Sequence, residues 1–220
     1  MSEATPSDRA LADLHARMHT CRLCLEAGYS IYPRAIFSGG MGARLMIIGQ
    51  APGITEKEAG RPFNAGSGTR LFRWLAEGGI DETWFRSTQY MTSVTKCYPG
   101  RSGSGSGDRV PSLAEQHLCR PYLEQEIALI DPALIISVGR LAIGLFYPPK
   151  QALEEIIGGQ KQIDGRWVVP LPHPSGASRW HQIEENRERV RQAVAWIKMA
   201  VEGTLRSNIR STDDGANELA

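Results

Sequence analysis

The sequence predicts a three-layer α/β/α fold around a central, mostly parallel, four-stranded sheet. Three observations carry this expectation. Short apolar runs such as Leu45-Met46-Ile47-Ile48 and Ala133-Leu134-Ile135-Ile136 are continuous rather than alternating, as in strands covered on both faces. Longer segments between them place apolar residues at helical spacing. Strand-like and helix-like segments also alternate along the chain, which is the order of β-α-β crossovers. Composition agrees with a folded core, since 41% of the 220 residues are hydrophobic and 22% charged. The length fits one domain, expected over residues 1–205, with a flexible polar tail over 206–220.

Each element has a local reason. A first helix is expected over 7–18, capped by Ser7, with Leu11, Leu14 and Met18 on one face. It delivers the chain to a C-x-x-C pair at Cys21 and Cys24. A glycine-rich turn at 38–42 leads into the first strand, 44–49. The next helix starts near Ser67, runs through Leu71, Trp74 and Leu75, and stops at Gly78-Gly79. A second strand is expected over 88–94. Residues 101–107 (Arg-Ser-Gly-Ser-Gly-Ser-Gly) form a low-complexity loop. Pro111-Ser112 then opens a long helix through Leu118, Leu123, Ile127 and Ile130, which carries Cys119. The third strand is 133–138, followed by Gly139 and a helix. The fourth is 168–171, ending in Pro172-His173-Pro174-Ser175, and a last helix covers 183–201. No internal repeat is visible.

Charge and hydropathy exclude some functions. A formal net charge of +1 excludes a nucleic-acid partner held by bulk positive charge alone, though not one held by a local basic patch. No apolar run approaches the ~20 residues that span a bilayer. The polar first ten residues lack the apolar centre of an export signal, so a cytoplasmic protein with no membrane association is expected. A monomer is expected as well. In that setting the four cysteines, Cys21, Cys24, Cys97 and Cys119, point to a metal or redox site more than to a disulfide framework. Zinc accepts four thiolates but usually takes two close pairs; an iron–sulfur cluster accepts looser spacing; unrelated buried cysteines are the third reading.

In a parallel sheet, ligands bind beyond the carboxyl ends of the strands. Those ends are Gln50-Ala51-Pro52-Gly53, the segment from Ser93 to Cys97, and His173-Pro174-Ser175, so three candidate loops converge on one edge.

These blocks carry a resemblance. The C-x-x-C, Gly49-Gln50-Ala51-Pro52-Gly53 with Gly60-Arg61-Pro62-Phe63, Tyr90-Met91-Thr92-Ser93-Val94-Thr95-Lys96-Cys97 with Cys119, and His173-Pro174-Ser175 follow in the order of the uracil-DNA glycosylase superfamily. The chain resembles its iron–sulfur branch, family 4, over about residues 20 to 200. The resemblance implies a monofunctional DNA glycosylase of base excision repair. Such an enzyme hydrolyses the N-glycosidic bond of uracil or another deaminated base in DNA. It further implies a 4Fe-4S cluster on Cys21, Cys24, Cys97 and Cys119.

In the family's terms, His173 donates a hydrogen bond to a carbonyl oxygen of the departing base, and Phe63 stacks on the flipped base. Gly49, Ala51, Pro52 and Gly53 approach base and sugar through their backbone. Two positions depart from the pattern. Gln50 stands where the family commonly has Glu, and it can orient a water but not take its proton. Glu56 either substitutes for it or is a solvated surface charge. Ser93 stands where the family has Asn, which bears on discrimination between bases. Ser67, Arg70, Arg101, Arg109, Ser175 and Arg179 are the candidate DNA contacts, with the 101–109 loop alternatively a plain surface insertion. A related uracil-trapping subgroup carries a histidine in the stretch between the last two cysteines that bonds covalently to the sugar; residues 98–116 hold no histidine, so such trapping is not expected. Residues 176–180 replace the family's apolar wedge: Ala177 is too small for it, and either Trp180 or Arg179 fills an emptied base site, unless Trp180 simply packs the last helix. Gln50 and Ser93 favour an alternative, a base-sensing protein of the same fold with little or no cleavage.

Overall fold

The computed structural model describes residues 5–103, 107–176 and 178–213, without the side chains of 204–213. Helix α1 (Pro6–Thr20) starts one turn-entry earlier than expected because Thr5, not Ser7, caps it. The Thr5 hydroxyl accepts from Asp8 N–H while the Asp8 carboxylate accepts from Thr5 N–H, which satisfies two end donors at once. A short helix α2 (Leu23–Glu26) follows and holds Cys24. Strand β1 (Leu45–Gly49) leads to α3 (Ile54–Ala59), α4 (Gly66–Glu77) and α5 (Glu82–Thr88) before β2 (Tyr90–Ser93). Helix α6 (Leu113–Ile130) starts at Ser112, which caps it together with Glu115. Then come β3 (Leu134–Val138), α7 (Arg140–Ile143), α8 (Leu153–Ile156), β4 (Lys161–Ile163), β5 (Arg166–Leu171), a single 3₁₀ turn at Trp180–Gln182, and α9 (Glu184–Asp213). The tail expected from residue 206 thus lies partly in α9, and 214–220 fall outside the described residues, as do 104–106 of the Gly-Ser loop and Ala177.

The sheet has five strands rather than the expected four, in the order β2-β1-β3-β5-β4. The four anticipated strands are parallel; β4 is a three-residue antiparallel edge strand hairpinned onto β5 through Asp164-Gly165. Both turn residues have positive φ (48° and 78°), the geometry that matches the twist of a two-residue hairpin. Side-chain alternation divides the core. Leu45, Ile47, Met91, Leu134, Ile136, Val169 and Leu171 face α4 and α9. Met46, Ile48, Tyr90, Ile135 and Val168 face α1, α6 and α7. That division is the three-layer arrangement, and it leaves the carboxyl ends of the four parallel strands β2, β1, β3 and β5 along one edge of the sheet.

Candidate active site

The three strand ends, the start of α4 and the base of the 101–108 hairpin enclose a cleft of about 450 Å³, within the usual size of a small-molecule or base pocket. Gly49, Gln50, Ala51, Pro52, Gly53, Glu56, Phe63, Ser67, Ser93, His173 and Ser175 all line it, and so does Arg109. Arg70, Arg101 and Arg179 lie outside its walls.

Phe63 is held under strain. Its φ of 51° is a left-handed conformation that a residue with a bulky side chain adopts only when its surroundings impose it. Those surroundings are Arg86, which donates to Pro62 O (3.0 Å) and Phe63 O (2.6 Å), and Gly68, where a β-carbon would fall 1.9 Å from Phe63 O. The ring lies against Gly49, where an added β-carbon would meet Phe63 Cζ at 2.9 Å. Glycine at 49 and 68 therefore places an aromatic face beside the first strand end.

His173 is oriented from two sides. Ser175 N–H donates to its Nδ1 (3.2 Å), so the neutral imidazole carries its proton on Nε2. Gly139, at φ 84°, lets the ring approach: a β-carbon there would stand 3.0 Å from Cδ2. Burial holds the His173 pKa below the ordinary histidine value, against the opposing pull of the nearby Glu56 charge, so the ring is neutral at pH 7. The site therefore offers a neutral N–H donor.

The Glu56 carboxylate is spent on structure. It accepts from Gly53 N–H, Asn64 N–H and the Thr55 hydroxyl, each at 3.1 Å, and so ties α3 to the loop before α4. Ser93 donates its hydroxyl proton to Thr95 O at 2.7 Å. Beneath it, Lys96 Nζ donates to Ser93 O (2.5 Å) and pairs with Glu126 (2.6 Å), both side chains being almost fully buried. Glu126 also accepts from the hydroxyls of Tyr90 and Thr92, so every oxygen of this buried pair is satisfied. Sequence reasoning missed Lys96, Glu126, Arg86 and Gly68. Glu126 left a signal: it shares the buried face of α6 with Leu123 and Ile130, an apolar stripe that admits a charge only beside a partner.

Two of the candidate phosphate ligands have structural work. Arg109 grips Glu115 with both terminal nitrogens (2.7 and 2.5 Å) and donates to Ser30 O; Arg70 Nη1 donates to Pro174 O at 2.7 Å. Arg101 and Arg179 are exposed, while Ser67 and Ser175 are part-exposed and line the cleft. Trp180 packs against the core under α9 and its indole N–H binds Glu154, which is the packing reading of that residue rather than the wedge.

On the other side of the 93–99 segment, Cys21, Cys24, Cys97 and Cys119 line one shared cavity. All four are free thiols. Among the described residues no group of three His, Cys, Asp or Glu side chains is close enough to chelate a single ion. Four thiols on one cavity are a donor set that a zinc ion or an iron–sulfur cluster accepts. The surroundings favour bound thiolates. Lys96 N–H donates to Cys119 Sγ (3.4 Å), and backbone Arg34 hydrogen-bonds Cys97. Burial pushes the Cys24 thiol up to about 12 and Cys119 up to about 11, so a thiolate at either position gains from a bound cation.

Comparison with known proteins agrees with this geometry. The profile described as Uracil DNA glycosylase superfamily matches residues 37–198. A Type-4 uracil-DNA glycosylase of Thermotoga maritima is 30% identical over 165 residues, covering 73% of this chain and 81% of that protein. Its counterpart from Archaeoglobus fulgidus is 28% identical over 189 residues, 81% and 88% of the two chains. Another, from Pyrobaculum aerophilum, is 35% identical over 120 residues, 54% and 53%. With its cleft at the strand ends, its oriented histidine and its four-cysteine cavity, the chain belongs to the uracil-DNA glycosylase superfamily.

Proposed function

We propose that this protein is a monofunctional DNA glycosylase that hydrolyses the N-glycosidic bond of uracil in DNA. In this reading it works as a monomer, with one catalytic domain over residues 1–205 and a 4Fe-4S cluster on Cys21, Cys24, Cys97 and Cys119. The observation that carries the reading is the pairing, in one cleft, of a neutral Nε2–H donor on His173 with the constrained ring of Phe63. The family membership and the Type-4 names of its relatives support it.

A base inside a duplex is out of reach, so the target nucleotide is extruded into the cleft, where Phe63 stacks on it. When the glycosidic bond breaks, its electron pair leaves with the base and negative charge gathers on a carbonyl oxygen. The His173 Nε2–H bond strengthens as that charge grows, which stabilises the transition state more than the bound substrate. Ser93 supplies the base discrimination. Its proton is given to Thr95 O, so towards the cleft its oxygen presents only lone pairs. It accepts from uracil N3–H, or from the N–H of hypoxanthine or xanthine, and repels the N3 lone pair of cytosine. Cys21, Cys24, Cys97 and Cys119 would hold the cluster, which would supply a covalent tie between the end of α1, the segment after β2 and α6. Ser67 and Ser175 on the cleft wall and the exposed Arg101 and Arg179 are the groups offered to phosphates.

The test is single-turnover incubation with oligonucleotides carrying uracil, hypoxanthine, xanthine or cytosine, followed by alkali. Free base and strand scission from the uracil oligonucleotide, with cytosine untouched, is the expected result. Tight binding without release of any base replaces the enzyme with the sensor reading.

A further inference from the structure

Hydrolysis needs a group that directs a water at the sugar, and the cleft leaves few candidates. Gln50 has no basic oxygen at neutral pH, and the Glu56 carboxylate is occupied by two backbone N–H groups and a hydroxyl. Of the described residues lining the cleft, the remaining carboxylate is Asp108. It comes from the far side of the site, at the base of the hairpin whose strands bridge Arg101 to Asp108, with Ser102 N–H bonded to Gly107 O and Arg109 N–H to Gly100 O at 3.0 Å each. Asp108 therefore belongs to the paired stem of the loop and not to its Gly-Ser tip.

The side chain is aimed. The hydroxyl of Tyr98, a buried residue, donates to Oδ1 at 2.9 Å. Oδ2 is turned to the first strand-end loop: a β-carbon on Gly53 would stand 2.8 Å from it. Glycine at 53 thus leaves room for a carboxylate to reach the backbone that the family motif places beside base and sugar. One oxygen is anchored and the other faces the cleft, the arrangement expected of a group that must hold a water in one direction.

Resting on the glycosylase reading above, we propose that Asp108 orients and deprotonates the attacking water, the task that Gln50 cannot perform. As the water oxygen bonds to C1′, one of its protons passes to Asp108. The C1′–N bond breaks, and its electron pair leaves with the base, which is held as an anion by His173 Nε2–H. The sugar keeps a hydroxyl at C1′, and solvent later protonates the base and removes the proton from Asp108.

The experiment compares wild type, Asp108→Asn, Asp108→Glu and Tyr98→Phe on a uracil oligonucleotide, measuring single-turnover rate and Kd across pH 4–9. Asp108→Asn should lower the rate by about a hundredfold or more without weakening binding, and should abolish the acid limb of the pH profile. Asp108→Glu should restore part of the rate. Tyr98→Phe should lower the rate by a smaller factor, because Oδ1 loses its anchor and the carboxylate its direction. Wild-type excision with an unchanged rate and pH profile in Asp108→Asn overturns the inference. So does an acid limb that survives Asp108→Asn and disappears in Glu56→Gln. A wild type that releases no base at all is a different failure, that of the glycosylase reading itself.

Discussion

A few side chains in this cleft have one job each, and their neighbours say which. His173 is the clearest, because Ser175 N–H takes up Nδ1 and leaves Nε2 as a donor. Removing a donor of this kind typically costs about 3 kcal/mol of transition-state stabilisation. His173→Ala should therefore slow single-turnover excision about a hundredfold while circular dichroism and DNA affinity stay near wild type; an unchanged rate removes the histidine from the mechanism. The two loop arginines divide in the same way. Arg101 is exposed, whereas Arg109 is locked on buried Glu115. Arg101→Ala should weaken binding to any DNA and reduce the salt slope by about one. Arg109→Ala should instead lower the melting temperature, since it strands a buried carboxylate. Sequence reading grouped these two residues because composition shows positive charge and not its partner. His173, Phe63 and the strand-end loop were legible, since Pro and Gly around them punctuate strand ends wherever the sheet lies.

Elements were readable where burial forced a pattern and obscure where it did not. Strands β1, β3 and β5 are buried on both faces in their central residues, so the residues had to be continuously apolar. Edge strand β4 has two exposed polar residues, Lys161 and Gln162, before the part-buried Ile163, so no apolar run marked it; its one signal was Asp164-Gly165, a two-residue hairpin turn. Helix α3 escaped for a different reason. It is six residues long, has no buried residue, and is held by Glu56 reaching back to Gly53 N–H. The strained turn before α4 depends on close approach, which no propensity records. Gly68→Ala would drive a β-carbon into the Phe63 carbonyl, and that backbone has nowhere to move. The expected outcome is loss of uracil excision and of base-dependent binding, read by fluorescence of a base analogue in the oligonucleotide. Arg86→Ala, which removes the two bonds to Pro62 O and Phe63 O without adding bulk, should give a milder version of the same defect.

At the scale of the molecule, the active cleft and the cysteine cavity are two sides of one segment. Ser93 lines the first, Thr95, Lys96 and Cys97 the second, and Pro99 touches both. Lys96 joins them, its backbone N–H on Cys119 Sγ and its ammonium on Ser93 O. Beside the cavity, Arg109 holds the Glu115 carboxyl down at about 2, against 4.5 for a free glutamate. The unfolded chain therefore takes up this proton first as acid is added. The stabilisation is complete above pH 4.5 and disappears progressively as pH falls towards 2, and Arg109→Ala should raise the midpoint of acid unfolding. Loss of the proposed cluster would act on the same region from within. The cysteines come from α1–α2, from the segment after β2, and from α6, so a group bound to all four closes loops of tens of residues. By analogy with a cross-link over a long loop, about 4 kcal/mol of stability follows, or on the order of 10 °C in Tm for a chain of this size. Cys97→Ser, or chelation of iron from the wild type, should bleach the brown colour, cost about that much in Tm, and relax the 93–97 segment enough to blunt uracil excision. Iron and sulfide analysis beside the melting curve checks it. Colourless wild-type protein holding one zinc, with the same Tm after chelation, would show that the four thiols do not carry a cluster and that the cleft keeps its shape without one.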